Sequence, residues 1–466
     1  YIKVDIIAPD MVGISTGIII EPYHPPEVIV PGYWNSMTEK IRIAIPLPDE
    51  NFDPTMLEGR IDLLGKVNTN TVWDTLGVLG DSITYLQEPD LVADTLFLYL
   101  DSVLATFNPG VENDTIGVEE IAGFADDRIL EIKAVLYDRA GNPINYDLGP
   151  NATLFIDQTA PIINITTPAN GSHGNTAAVA YELTEAIQSG TIAWGRFAGK
   201  EDPNSPHVQT LIGEELEQGS FAGLITNNPD LVDSAIYEIH FTATETAGNR
   251  IIPYIINSFT FDTLAPTFSQ LGPDSLDFIN NSMVSYKISE ALSSGQVKWT
   301  NITPGSENTV SIIDLAGDEL TVGYAEIGSI ELENDNPDFF ADGEIYNVTW
   351  TGIDLAGNPT RLDFTSTEVV YDTTRPTAEL IYNNYIVGAN YPLIITVNFS
   401  EPMKDDPLIN IDYEGIGFDI QDTLLKDPNL NDGTVWFFNT LVPIESSISG
   451  IAYVYIDAQD LASNPL

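Results

Sequence analysis

Four times the chain repeats one phrase, Asp-x-x-Ala/Arg-Pro, at residues 5–9, 157–161, 262–266 and 372–376. A second phrase, Asp/Glu-x-Ala-Gly/Ser-Asn, stands at 138–142, 245–249, 354–358 and 460–464, at spacings of 107, 109 and 106 residues. A fixed period of about 100 residues is the mark of an array of like units, not of one large core. The first interval departs from the rest. Its two phrases lie 133 residues apart, where the others have 88, 92 and 88. About 40 extra residues are therefore expected there, within 46–115.

Further matches fill the interval between the phrases. "VAYELTEAIQSGTIAW" (179–194) aligns with "VSYKISEALSSGQVKW" (284–299), and "ITVNFSEPM" (395–403) echoes their centre. "LIGEEL" (211–216) matches "LAGDEL" (315–320). "DSAIYEI" (233–239), "DGEIYNV" (342–348) and "DGTVWFF" (432–438) form another set, with "DDRILEI" (126–132) as a weaker member. Short alternating runs broken by Gly, Pro, Asn and Asp predict β-sandwiches.

Trp194 and Trp299 close a strand after Ser-Gly, the place of the core tryptophan on strand C of an immunoglobulin-like sandwich. Asp233/Tyr237 and Asp342/Tyr346 have the form of a tyrosine corner opening strand F. Ile239 and Val348 fill the slot where antibody domains carry a cysteine, and this chain has none. The predicted fold is all-β: four tandem immunoglobulin-like sandwiches in an elongated rod, with fibronectin-like or cadherin-like topologies left open. Boundaries follow the phrases. Residues 1–5 read as a terminal strand of a preceding or neighbouring domain. Residues 6–157 form a divergent domain with an insertion, 158–262 and 263–372 two close repeats, and 373–466 a domain lacking its last strand.

Asp-x-x-Ala-Pro follows a β run each time it ends a unit, so it closes strand G and forms the linker, with proline fixing φ. Asp-x-Ala-Gly-Asn reads as the F–G turn. The incoming linker then meets the B–C and F–G loops of the next unit, which brings three acids together. Those acids are Asp157, Glu185 and Glu245; Asp262, Glu290 and Asp354; and Asp372, Glu401 and Asp460. The first unit offers Asp5 and Asp138, with Asp49 or Glu50 as the third. Such a cluster plus carbonyls and water suits Ca²⁺, which takes six to eight oxygen ligands. Ordinary turn and cap formation by Asp accounts for the same residues, so both readings stand at this point. "DPNLNDG" (427–433) departs from an EF-hand loop, since its Gly comes one place late and position 12 is Phe438; it reads as a plain E–F loop.

With 69 acids against 17 bases the net charge is −52, which argues against nucleic acid or anionic lipid as partners and favours divalent cations. No apolar run reaches the length of a membrane span. Eight Asn-x-Ser/Thr sequons, the first at Asn113 and the last at Asn398, accord with an outside address. His24, His173, His207 and His240 fall at unrelated repeat positions, and no nucleophile or phosphate-loop motif stands in the chain. No enzyme activity is expected. Trp34, Trp73 and Tyr85 in the divergent unit offer either core packing or sugar stacking.

Residues 157–372 resemble the tandem bacterial Ig-like repeats of very large secreted or cell-surface proteins, in their "DTLAPT", "SGT", "DG" and "AGN" phrases. Residues 373–466, with "VNFSEPM", resemble related Ig-like modules. The resemblance implies a structural, adhesive or stalk role outside the cell, without catalysis. "YIKVD" (1–5) aligns with the strand-G segments, while the last unit stops after its F–G turn. Copies joined head to tail by strand complementation, as the subunit or segment of a surface fibre, filament or surface layer, are one expectation. The alternatives are the stalk of a large adhesin, held to cell-surface or matrix polymers, and the accessory domains of a secreted hydrolase.

Overall fold

The computed structural model describes residues 18–24, 30–47, 59–80, 91–92, 95–101, 116–117, 121–145, 152–327, 339–361, 364–413, 419–430, 432–444 and 450–466, with positions 2, 4, 5 and 7. The described secondary structure is almost wholly β, in eight sheets. Strand after strand alternates in burial, as Val179–Leu183 and Val284–Ile288 do in the same order, so one row of side chains enters a core and the other stays outside. Four hydrophobic clusters each draw their members from a pair of sheets. Contacts divide the chain into two compact units, residues 1–172 with 176–261 and residues 173–175 with 262–466.

In the first unit, Lys40–Pro46 lies between Ile19–His24 and Thr95–Asp101, and faces a sheet in which Arg60–Val67 pairs with Asp74–Gly80 and Arg128–Tyr137. The segment 46–115, expected to be an insertion, thus supplies strands to both sheets. Ile41, Ile43, Ile45, Ile61, Leu63 and Leu130 fill the space between them. Trp34 belongs to this core, fully buried and edge-on to Phe124 at 5.2 Å. Trp73 is half-buried beneath the ammonium groups of Lys66 and Lys133, and Tyr85 lies outside the described residues. The unit's second sandwich sets Val179–Leu183, between Ile163–Thr167 and Gly219–Gly223, against Ser189–Gly199 and Ala235–Thr244.

The second unit repeats that plan with Val284–Ile288, flanked by Phe268–Gly272 and Gly323–Ile327, over Leu292–Asn301 and Ile345–Asp354. Trp194 and Trp299 are fully buried on the strands expected for them. The Ser-Gly before each is steric. A Cβ on Gly295 would come within 2.7 Å of Leu315 Cδ1, and one on Gly190 within 2.8 Å of Leu211 Cδ1. Tyr237 and Tyr346 form tyrosine corners: their hydroxyls accept from the Val232 and Ala341 N–H groups at 2.8 and 3.3 Å. The matched "LIGEEL" and "LAGDEL" segments are 3₁₀ turns closed on themselves. Glu215 and Glu319 accept from the Ile212 and Ala316 N–H groups, while their carbonyls accept from Tyr181 and Tyr286.

The last sandwich differs. Pro392–Phe399 runs between Ala378–Tyr382 and Val435–Leu441, over a three-stranded sheet of Asp419–Thr423, Leu408–Tyr413 and Ala452–Asp457. Two expectations are corrected here. "DGTVWFF" opens the strand beside Pro392–Phe399, whereas "DSAIYEI" and "DGEIYNV" lead into the strand before the F–G turn. Acid-Gly before an apolar run is simply a way to start a strand, and it serves a different strand here. Residues 427–433 accordingly connect Leu425–Lys426 to Val435–Leu441 and do not lie between strands E and F. No described helix is long and apolar enough to cross a membrane.

Candidate metal centre

Each Asp/Glu-x-Ala-Gly/Ser-Asn phrase folds into the same closed turn. The Glu245, Asp354 and Asp460 N–H groups donate to the carbonyls of Asn249, Asn358 and Asn464, and Gly248, Gly357 and Ser463 donate back. The acid then holds the asparagine by two bonds. Asn358 N donates to one Asp354 oxygen at 2.8 Å and its Nδ2 to the other at 2.9 Å. Asn464 repeats this on Asp460 at 2.8 and 2.9 Å, and Asn249 on the single Glu245 Oε1 at 2.7 Å for both. The penultimate position has positive φ, +95° at Gly248 and +89° at Gly357, and Ser463 takes it at +69° despite its Cβ. Ordinary turn chemistry is therefore present.

The asparagine also reaches the linker, which the sequence alone did not reveal. Nδ2 of Asn249, Asn358 and Asn464 donates at 2.9 Å to the carbonyls of Asp157, Asp262 and Asp372 respectively. Asn142 meets the Asp5 carbonyl at 3.4 Å in the same way. In the second unit the asparagine oxygen is used as well, since Asn175 donates to Asn358 at 3.0 Å and Asn280 to Asn464 at 3.3 Å. One side chain thus ties turn, linker and preceding loop. Asn358→Ala should cost about 1–3 kcal/mol by orphaning buried polar groups. The check is hydrogen exchange at residues 354–358; unchanged protection there would refute the clasp.

The linker acids are drawn in by the same clasp. Oxygens of Asp262, Glu290 and Asp354 all lie within 4.8 Å of one another, as do those of Asp372, Glu401 and Asp460, with Asp354 and Asp460 buried. Two oxygens bound to one Ca²⁺ at about 2.3–2.6 Å can be at most about 5 Å apart, so both trios have the spacing for a shared ion. Asp157, Glu185 and Glu245 are neighbours electrostatically, yet they do not reach that mutual spacing. Asp138 has Asp5 nearby through the Asn142 clasp, and Asp49 and Glu50 lie outside the described residues.

The charges register the crowding. Burial first, then Asp372 and Asp460, raises the Glu401 carboxyl above its ordinary range. Burial and then Asp460 raise Asp372, against the opposing N–H of Thr374. Glu185 is raised by burial, Asp157 and Glu245, and Asp157 by burial and Glu245. Asp138 goes the other way: burial pushes it up, but the Asn142 side-chain and backbone bonds outweigh this and its net shift is downward.

A raised carboxylate binds more protons folded than unfolded. Its contribution to stability therefore falls as pH rises from the ordinary carboxylate range, about pH 4, through the raised value. Metal-free protein should lose melting temperature over that window, and saturating Ca²⁺ should reduce or reverse the slope, because a bound cation favours the ionised form. Equal slopes with Ca²⁺ and with chelator would refute the coupling.

No known family model matches the chain, and no curated protein matches it. Among solved structures, dimeric latent PorU from Porphyromonas gingivalis aligns over 87% of this chain at 10% identity and a TM-score of 0.16; the alignment covers 45% of that chain.

Proposed function

We propose that the chain is a structural protein of the cell exterior: a subunit or segment of a surface fibre, filament or surface layer, built of four tandem Ig-like modules. Ca²⁺ at the linkers neutralises each acid trio and stiffens the junction, and copies join head to tail through the last module. This reading assigns no catalysis. The observation that carries it is the recurrence of one junction: the same asparagine clasp on the same linker carbonyl at three linkers, with two trios at ion spacing.

Turn formation alone supports less than this. In the Asp354 turn each carboxylate oxygen accepts one bond from Asn358 and keeps a lone pair for a cation. Without one, like charges at this spacing repel by about 3 kcal/mol per pair at an effective dielectric of about 20. A cation turns that cost into binding energy available only to the folded junction.

Isothermal titration of Ca²⁺ into chelator-treated protein tests the reading. Extracellular modules bind Ca²⁺ at about 10⁻⁴–10⁻³ M, and ligand at 100 times Kd stabilises by about 2.7 kcal/mol per site. Binding at two or more sites, with a matching rise in melting temperature, is the expected result. No heat and no shift at about 10 mM Ca²⁺ would overturn it.

A further inference from the structure

The last sandwich has an open trough between its two sheets, of about 810 Å³, lined by Tyr382, Val387, Leu393, Ile411, Tyr413 and Val454 among others. Its cause is visible by comparison with the other three. There, the strand before the F–G turn is paired on its outer side by an antiparallel strand: Arg128–Tyr137 by Thr153–Ile156, Ala235–Thr244 by Tyr254–Phe261, and Ile345–Asp354 by Phe364–Tyr371. Ala452–Asp457 pairs only with Leu408–Tyr413 among the described residues, and its other edge is free.

The covering strand also fills the core. It delivers Leu154 and Ile156 in the first sandwich, Phe259 with Phe261 in the second, and Val369 with Tyr371 in the third. These are the positions three and one before the linker aspartate. Beneath them the inward row is closed: Leu130, Tyr237 and Tyr346 are all fully buried. In the last sandwich the corresponding Ala452 is exposed and Val454 and Ile456 are only half-buried. Tyr413, 6% exposed, lines the trough with a buried hydroxyl that has no hydrogen-bond partner.

We propose that this trough receives residues 1–4 of a second copy of the chain as an added antiparallel strand. The inference rests on the head-to-tail reading above and names its occupant. Three observations select the segment. Ile2 and Val4 stand three and one places before Asp5, in the spacing of Leu154/Ile156 and Val369/Tyr371. Both are exposed, at 91% and 76%. Asp5 is held by Asn142 as the other linker aspartates are held by their asparagines. Thr153–Ile156, four residues long, already does this duty in the first sandwich, so length is no obstacle.

The register follows from the repeats. Ile156 faces Arg128 and Phe261 faces Ala235, each ten residues before the acid of the F–G turn. Ten residues before Asp460 is Gly450, so Val4 faces Gly450 and Ile2 faces Ala452. Backbone pairing supplies the attraction, and the alternate side chains entering the trough supply the selection. The contact is heterologous and does not close on itself, so it propagates into a filament.

The test uses two single-cysteine full-length chains, Val4→Cys and Gly450→Cys, since the protein has no cysteine of its own. A Cβ on Gly450 meets nothing within 4 Å. Mixed under mild oxidation, they should give a disulfide-linked heterodimer, both with Ca²⁺ and with chelator. Ile2→Asp in the Val4→Cys chain should cut the yield at least about tenfold, because it would bury a charge. A yield no greater than that of Val4→Cys mixed with Val72→Cys would overturn the proposal, since Val72 is surface-exposed and outside the trough. Self-association by light scattering without that specific link would overturn the strand placement while leaving assembly itself standing. Loss of Ca²⁺ binding with the link intact would count against the junction reading only.

Discussion

Trp299→Ala should destabilise its sandwich by about 3–5 kcal/mol, the usual cost of emptying a large aromatic site. The indole is fully buried, edge-on to Phe340 at 5.0 Å and to Tyr346 at 6.0 Å, so its loss also unseats the tyrosine corner. Trp194 offers a matched contrast. Its Nε1 donates to Gln209 at 2.7 Å, while the Trp299 Nε1 is buried without a partner. Replacement by phenylalanine should therefore cost more at 194, where it orphans a buried amide oxygen, than at 299, where it removes an unsatisfied donor. Urea unfolding with hydrogen exchange read in Ile345–Asp354 and Ala235–Thr244 separates the two sites. A loss below about 1 kcal/mol for Trp299→Ala would show that the core does not depend on this ring.

These positions were legible because repetition marks them. A tryptophan after Ser-Gly and a tyrosine four places after Asp are local patterns, and each reports a local requirement: backbone too close for a Cβ, a hydroxyl turned back on its own chain. The acid trios were legible for a different reason. Once strands are ordered, linker, B–C loop and F–G loop must share one pole, and Glu290 and Asp354 arrive beside Asp262 by topology. What escaped was contact between distant segments without a sequence signature of its own. The linker grip of Asn358 is invisible in "DLAGN", which reads equally well as a plain turn. The role of "DGTVWFF" was misjudged because strand starts look alike in sequence, and only the partner Pro392–Phe399 tells which sheet the strand joins. The trio at Asp157, Glu185 and Glu245 carries the same phrase but a longer acid in its turn. Glu245 spends one oxygen on both Asn249 bonds and the other on Ala247 N, which keeps it on its own turn.

The two explanations of the acids part at Asp354. Asp354→Ala removes both acceptors of Asn358, and with the site buried this should cost about 1–3 kcal/mol even without metal. Glu290→Gln leaves that turn untouched and takes one charge from the trio. If the acids serve turns alone, Glu290→Gln should be silent in the Ca²⁺ response while Asp354→Ala is damaging. If they hold an ion, metal-free Glu290→Gln should match or exceed the parent in stability, since a repulsion is relieved, yet lose about tenfold or more in Ca²⁺ affinity at that junction. The opposite signs of the two effects are what make the variant decisive. A structural substitution lowers stability with and without metal, whereas a lost ligand lowers it only when metal is present. We expect the second pattern, and an unchanged Ca²⁺ titration of Glu290→Gln would assign these carboxylates to the turns.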